Sequence, residues 1–137
     1  MNKGFTLVEL LVVIAIFGIS MMFIVPKVVE NYSENNPVKK QFENVINSAF
    51  KLSVTRQRAV FIKGLKGSNI LKIDNDTFEI EDAGNFNIVK INDNNQNGLE
   101  FYLGVYPDRA IDSFEIVTSK DMKIISDSLN MRVEIIE

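Results

Sequence analysis

Polar and apolar positions divide this chain into three regimes. From Phe5 to Val25 the sequence FTLVELLVVIAIFGISMMFIV carries a single charge, Glu9, with Lys3 and Lys27 just outside it. A helix of that length rises roughly 30 Å, which matches the hydrocarbon core of a bilayer. Strands rarely exceed about ten residues, and no turn residue interrupts the run before Gly18, so the pattern predicts a transmembrane helix over 5–25. From Val38 to about Arg58, the residues Phe42, Val45, Ile46, Ala49 and Leu52 recur at spacings of three and four, with Phe50 off the stripe. That is the mark of an amphipathic helix laid on a core. After Ala59 come short β-branched and aromatic runs at 60–65, 69–73, 77–81, 86–91, 99–105, 113–119, 122–126 and 131–136, separated by Gly, Asn and Asp. These predict strands, with turns at Asp74-Asn75-Asp76 and Ser128-Leu129-Asn130.

A helix followed by a run of strands argues an α+β fold, with a mostly antiparallel β-sheet wrapped against the amphipathic helix. Between the two helical patterns stand Pro26, which kinks a helix running through it, and Ser33-Glu34-Asn35-Asn36-Pro37, where a residue before proline is pushed out of helical geometry. The expectation is a helix kinked or broken near Pro26 and Pro37, with Asn36 capping a second helix and Pro37 in its first turn. Residues 1–4 then form a leader, 5–25 the membrane helix, 26–37 a connector and 38–137 an exported globular domain.

The chemistry available is narrow. The 137 residues include no Cys and no His, which removes disulfides, thiolate metal sites, the commonest zinc ligands and the commonest general base. Carboxylates, Lys and Tyr remain, but no constellation of them advertises a reaction, so the expectation is a non-enzymatic protein without a cofactor. Asp93-Asn94-Asn95-Gln96-Asn97-Gly98 fits the opening of a calcium-binding EF-hand loop, with oxygen ligands at Asp93, Asn95 and Asn97. Its twelfth position is Gly104 rather than Glu, which favours a solvated turn between strands over a calcium site. Asp74, Asp76, Glu79, Glu81 and Asp82 are acidic neighbours in the sequence, read as a wet face rather than a metal site.

Charge is segregated. Residues 38–66 hold seven basic side chains and one acid, whereas residues 67–137 hold six basic and fourteen acidic ones, within a formal net charge of −3. Helix and sheet neutralising one another within the fold is the simplest reading. A basic helix meeting the acidic face of another subunit, or DNA, is the sharper alternative. The absence of interleaved aromatics argues against nucleic acid.

The most informative residue is Glu9, because an ionisable group inside a membrane helix costs about 2.5–3.5 kcal/mol and normally has a partner. An ordinary secretory signal loses its apolar segment. Here only Met1 to Gly4 precede the run, and a cut after Gly4 would keep the helix and expose an amine on Phe5, about one turn from Glu9. A neighbouring subunit shifted along the axis could offer the same amine to Glu9, neutralising both groups in apolar surroundings. Lys3 favours a cytoplasmic N-terminus.

The string K-G-F-T-L-V-E-L-L-V-V-I-A-I-F-G-I, Lys3 to Ile19, resembles the prepilin cleavage and methylation motif of type IV pilins and type II secretion pseudopilins. The resemblance implies that a prepilin peptidase cleaves between Gly4 and Phe5 and methylates the Phe5 amine. It further implies that Glu9, with Thr6 beside it, acts in assembly by pairing with the N-terminus of an adjacent subunit, and that Pro26 marks a bend. Partners would be other pilins or pseudopilins, the peptidase and an inner-membrane assembly platform, with the protein a single-pass inner-membrane subunit incorporated into a periplasmic or surface filament. Phe42 to Lys63, with Ala49, Arg56 and Ala59, followed by 99–101, 114–116 and 125–133, resembles the GspH/FimT-type minor pseudopilins, although Asn130 stands where that group has glycine. Three readings follow: a minor pseudopilin of a type II secretion system, a minor pilin or competence pseudopilin serving attachment or DNA uptake, and a membrane-anchored enzymatic or solute-binding domain.

Overall fold

The computed structural model describes residues 4–34 and 36–137, without the side chains of residues 23–34. The chain divides into two compact units, Met1–Glu34 and Asn35–Glu137. The first holds one helix, α1 (Leu7–Glu34). α1 runs unbroken through Pro26, so the chain is not broken there as the sequence allowed; the side chains of Lys27, Glu30 and Glu34 lie outside the described residues, as does Lys3. Among the described residues no helix is long and apolar enough to cross a membrane.

The second unit opens with α2 (Pro37–Arg56), so the expected break falls immediately before Pro37. Asn36 is extended, at φ −64° and ψ 121°, and its side-chain oxygen accepts from the Val38 N–H at 2.9 Å, satisfying one of the donors a helix start leaves orphaned. Gln57, left-handed at φ 55°, ends α2 at Arg56 rather than Arg58. The buried stripe is Val38, Phe42, Val45, Ile46, Ala49 and Ser53. Leu52, expected on it, is only partly buried. The fully buried Ser53 takes its place, and its hydroxyl donates to the Phe50 carbonyl at 2.7 Å.

The described strands are β1 (Val60–Leu65), β2 (Ile70–Ile73), β3 (Asp76–Glu79), β4 (Phe86–Ile91), β5 (Asn94–Asn95), β6 (Glu100–Val105), β7 (Phe114–Thr118), β8 (Lys123–Asp127) and β9 (Arg132–Ile136). The α+β class and antiparallel pairing match the sequence pattern, but the single sheet expected is two. One has the order β3-β2-β1-β6 and the other β5-β4-β7-β8-β9. Strand β6 leaves its neighbours in sequence to pair with β1, a long-range choice that local pattern does not encode.

Phe42 on α2 joins the helix to the five-stranded sheet, and Phe86 passes the contact on to the four-stranded one. Its ring lies edge-on to Phe86 of β4 at 6.0 Å and stacked with Phe114 of β7 at 6.3 Å, while Phe86 meets Phe101 of β6 edge-on at 5.9 Å. These rings are all 3% exposed or less. Strand β9 is tied to α2 by the Val133 N–H, which donates to the Glu43 carboxylate at 3.2 Å.

One glycine is required by this packing. Gly64 sits directly opposite Phe101 in the β1–β6 register, and the Phe101 ring fills the space a Cβ on Gly64 would take. Gly64→Ala should therefore displace the ring and destabilise the domain by about 1–3 kcal/mol, the usual cost of overpacking. Chemical denaturation of the two proteins checks it, and an unchanged midpoint would show that the ring has room to yield.

Candidate functional site

Residues 4–6 are irregular backbone ahead of α1, and Gly4 and Phe5 are both exposed, with no atom crowding Gly4. The Gly4–Phe5 peptide bond therefore lies in open, non-helical chain, the conformation a protease needs to draw a segment into its cleft. Thr6 is the first residue whose carbonyl enters the helix, accepting from the Leu10 N–H at 3.2 Å.

Thr6 and Glu9 cap one another. The Glu9 N–H donates to the Thr6 hydroxyl oxygen at 3.3 Å, and one Glu9 carboxylate oxygen, Oε2, accepts from both the Thr6 N–H at 2.8 Å and the Thr6 hydroxyl at 3.0 Å. This is a reciprocal capping box, in which a Thr at the cap and a Glu three residues on satisfy two orphan donors, and the carboxylate also suits the positive end of the helix dipole. The Thr-x-x-Glu spacing before an apolar run is a recognised sequence signature. It was legible in Thr6-Leu7-Val8-Glu9, although reading Glu9 as an intermolecular partner passed over it. The two roles are compatible: Oε2 is occupied within the chain, while Oε1 has no hydrogen-bond partner among the described residues. After a cut at Gly4, the Phe5 amine would stand one residue before the Thr6 N–H that Glu9 already holds.

Beyond the cap, α1 presents apolar side chains on every side. Leu7, Val8, Leu10, Leu11, Val12, Val13, Ile14, Ile16, Phe17, Ile19, Met21 and Met22 are all exposed. A helix apolar all round has its natural surroundings in lipid or among other helices.

The remaining sequence candidates fall elsewhere. Asn92 and Asp93, at φ 49° and 64°, form the two-residue turn between β4 and β5. Left-handed geometry at both positions is the hairpin turn that Asn and Asp favour. Asn95 pairs with Lys90 within the hairpin, and Asn97 follows it in the β5–β6 loop. The EF-hand-like stretch is thus a hairpin followed by a loop, not one loop curling around an ion. Among the described residues no group of three or more His, Cys, Asp or Glu could hold a metal. Asp74 pairs with Arg56 at 2.6 Å, and Lys63 with Glu100 at 2.7 Å. Lys66 donates to the Gln96 carbonyl. Two of the basic side chains of 38–66, Arg56 and Lys63, are thus paired with acids of the later half of the chain, as neutralisation within the fold requires, and Lys66 is engaged there through a backbone carbonyl. The Lys63–Glu100 contact raises the Lys63 pKa and, with Tyr102 helping, lowers that of Glu100. Such exposed pairs contribute little to stability.

A hollow of about 390 Å³ lies between α2 and the β8–β9 turn, lined by Glu43, Asn47, Phe50, Arg109 and Arg132 among others. Arg109 lies over the Phe50 ring, 5.9 Å from its centroid. Glu43 is the hollow's one carboxylate, and its Oε1 is taken up by Val133.

Among protein-family models, the prokaryotic N-terminal methylation motif matches residues 1–25. Comparisons with curated proteins and with solved structures find no match. The match contains the Gly4–Phe5 bond, the Thr6–Glu9 cap and the whole apolar run, and it marks the chain as type IV pilin-like, a substrate for prepilin-peptidase processing, which implies assembly with other pilins.

Thr6→Val keeps the bulk at the cap and removes its acceptor. The Glu9 and Leu10 amides of that variant should lose protection in hydrogen exchange of the full chain in detergent, with the middle of α1 unaffected; equal protection in both proteins would refute the capping box.

Proposed function

We propose that this chain is a non-enzymatic minor pseudopilin of the GspH/FimT type, working in a type II secretion system or a related type IV filament machine. Prepilin peptidase cuts between Gly4 and Phe5 and methylates the Phe5 amine. The apolar segment 5–25 holds the subunit in the inner membrane with its C-terminal domain outside the cytoplasm, and later packs among the helices of neighbouring subunits. The observation that carries the reading is the methylation motif over residues 1–25, in which an exposed Gly4–Phe5 bond precedes a helix cap built on Glu9.

The assembly step follows from the electrostatics of that end. Within lipid or a helix bundle a lone carboxylate and a lone ammonium each cost several kcal/mol, and pairing them removes most of both penalties. The Thr6 N–H and hydroxyl fix Oε2 and with it the direction of the carboxylate, so Oε1 is presented in a defined orientation to an amine from a subunit displaced along the filament axis. No group in the globular domain is asked to do chemistry; that domain supplies contacts to other subunits. A minor type IV pilin or competence pseudopilin is the second reading, and the basic side chains left exposed on and after α2, Lys51 and Arg58, favour it.

Intact-mass measurement of the protein from cells should show residues 1–4 missing and one methyl group on Phe5. Gly4→Trp should leave the full-length precursor, because the residue before the cut must be small. Glu9→Ala should be processed and inserted yet enter filaments at a small fraction of the wild-type level, and normal incorporation of that variant would remove Glu9 from the mechanism.

A further inference from the structure

We propose that Asn97 is a site of spontaneous deamidation in the folded protein, with the Gly98 backbone nitrogen as the nucleophile. It is the only Asn in the sequence followed by Gly. Both residues are exposed and lie between β5 and β6, outside any regular element. Among the described residues neither the Asn97 side chain nor the Gly98 N–H has a hydrogen-bond partner, so nothing restrains either reacting group. Glycine adds no side chain to obstruct the approach, and its wide conformational range lets the backbone nitrogen swing toward the side-chain carbonyl.

The chemistry is closed. Hydroxide removes the Gly98 amide proton, and the nitrogen attacks Cγ of Asn97, forming a C–N bond that completes a five-membered succinimide. The Cγ–Nδ2 bond breaks and ammonia leaves. Solvent water then adds to one of the two imide carbonyls and opens the ring, giving an aspartyl residue or, by cleavage of the other C–N bond, an isoaspartyl residue. One water is consumed, one ammonia is released and nothing is oxidised or reduced. The chain gains one mass unit and one negative charge.

Neighbouring asparagines are held back by their bonding. Asn92 donates to Asp112 at 3.2 Å and accepts from the Ser113 N–H at 3.1 Å, and Asn94 donates to the Asn92 carbonyl at 2.9 Å. Asn95 belongs to strand β5, in register with Lys90. Asn130 donates to Asp127 at 2.8 Å, and the amide following Asn85, that of Phe86, donates to the Ser68 carbonyl at 2.8 Å.

Lys66 makes the position tolerant of its product. Its ammonium donates to the carbonyl of Gln96, and its own N–H donates to the carbonyl of Leu99 at 2.7 Å. Both flanks of the Asn97-Gly98 pair are therefore anchored while the pair itself is free, and the new carboxylate arises one residue from a bound cation. The β5–β6 loop is thus the place where the protein can acquire charge with age without losing its fold.

The test uses the full chain in detergent, incubated at mildly alkaline and mildly acidic pH and then digested with trypsin. The peptide covering residues 91–109 should gain one mass unit, with fragment ions placing the change at position 97, several-fold faster at the alkaline pH. Gly98→Ala should slow it several-fold without disturbing the fold, because a Cβ there meets only Glu100 backbone atoms at 3.6 Å or more. The proposal is overturned if the gain is absent, if it maps to Asn92, Asn94 or Asn95, if Gly98→Ala reacts as fast as the wild type, or if reaction appears only after denaturation.

Discussion

Phe42 touches Phe86 at 6.0 Å and Phe114 at 6.3 Å, and Phe86 passes the contact on to Phe101 at 5.9 Å. One residue from the helix, two from the five-stranded sheet and one from the four-stranded sheet thus form a continuous aromatic chain. Each such pair adds about 0.5–1.5 kcal/mol beyond the area it buries, but position matters more than magnitude. The rings run as one connected strip from α2 through the five-stranded sheet to β6 of the four-stranded one, inside a core to which Val38, Val45, Ile46 and Ala49 of α2 also contribute. Gly64 belongs to the same arrangement, since the Phe101 ring occupies the place of its missing side chain.

The edge of β6 is finished by polar groups rather than rings. The Gly104 N–H donates to the Asp112 carboxylate at 2.8 Å, and the Asp112 N–H donates to the Gly104 carbonyl at 2.9 Å. Asn92, from the turn between β4 and β5, donates to the same carboxylate. An edge closed in this way offers fewer free backbone groups for unintended pairing. Partial burial, with the Asp112 carboxylate beside it, raises the pKa of the Tyr106 hydroxyl above its ordinary value.

The N-terminal unit runs on a different principle. Its described apolar side chains are exposed on all sides, and its first turn is closed by the Thr6–Glu9 pair. The capping box gives Glu9 a partner in the isolated chain, so the carboxylate need not wait for a neighbour to be satisfied in part. The carboxylate's second oxygen, Oε1, is left open for the proposed contact with a neighbouring subunit.

Residue order alone determined the helix α2, eight strands near their observed limits, the break before Pro37 and the processing motif. Each depends on a short-range pattern: a 3.6-residue stripe, β-branched runs between turn formers, a proline, or a contiguous string around Gly4 and Phe5. Tertiary structure decided what those patterns leave open. Two sheets rather than one, the pairing of β6 with β1, the burial of Ser53 in place of Leu52 and the short strand β5 inside an apparent ion-binding loop all depend on partners far along the chain. Local periodicity says which face of an element is apolar, but only the packed core says what that face meets.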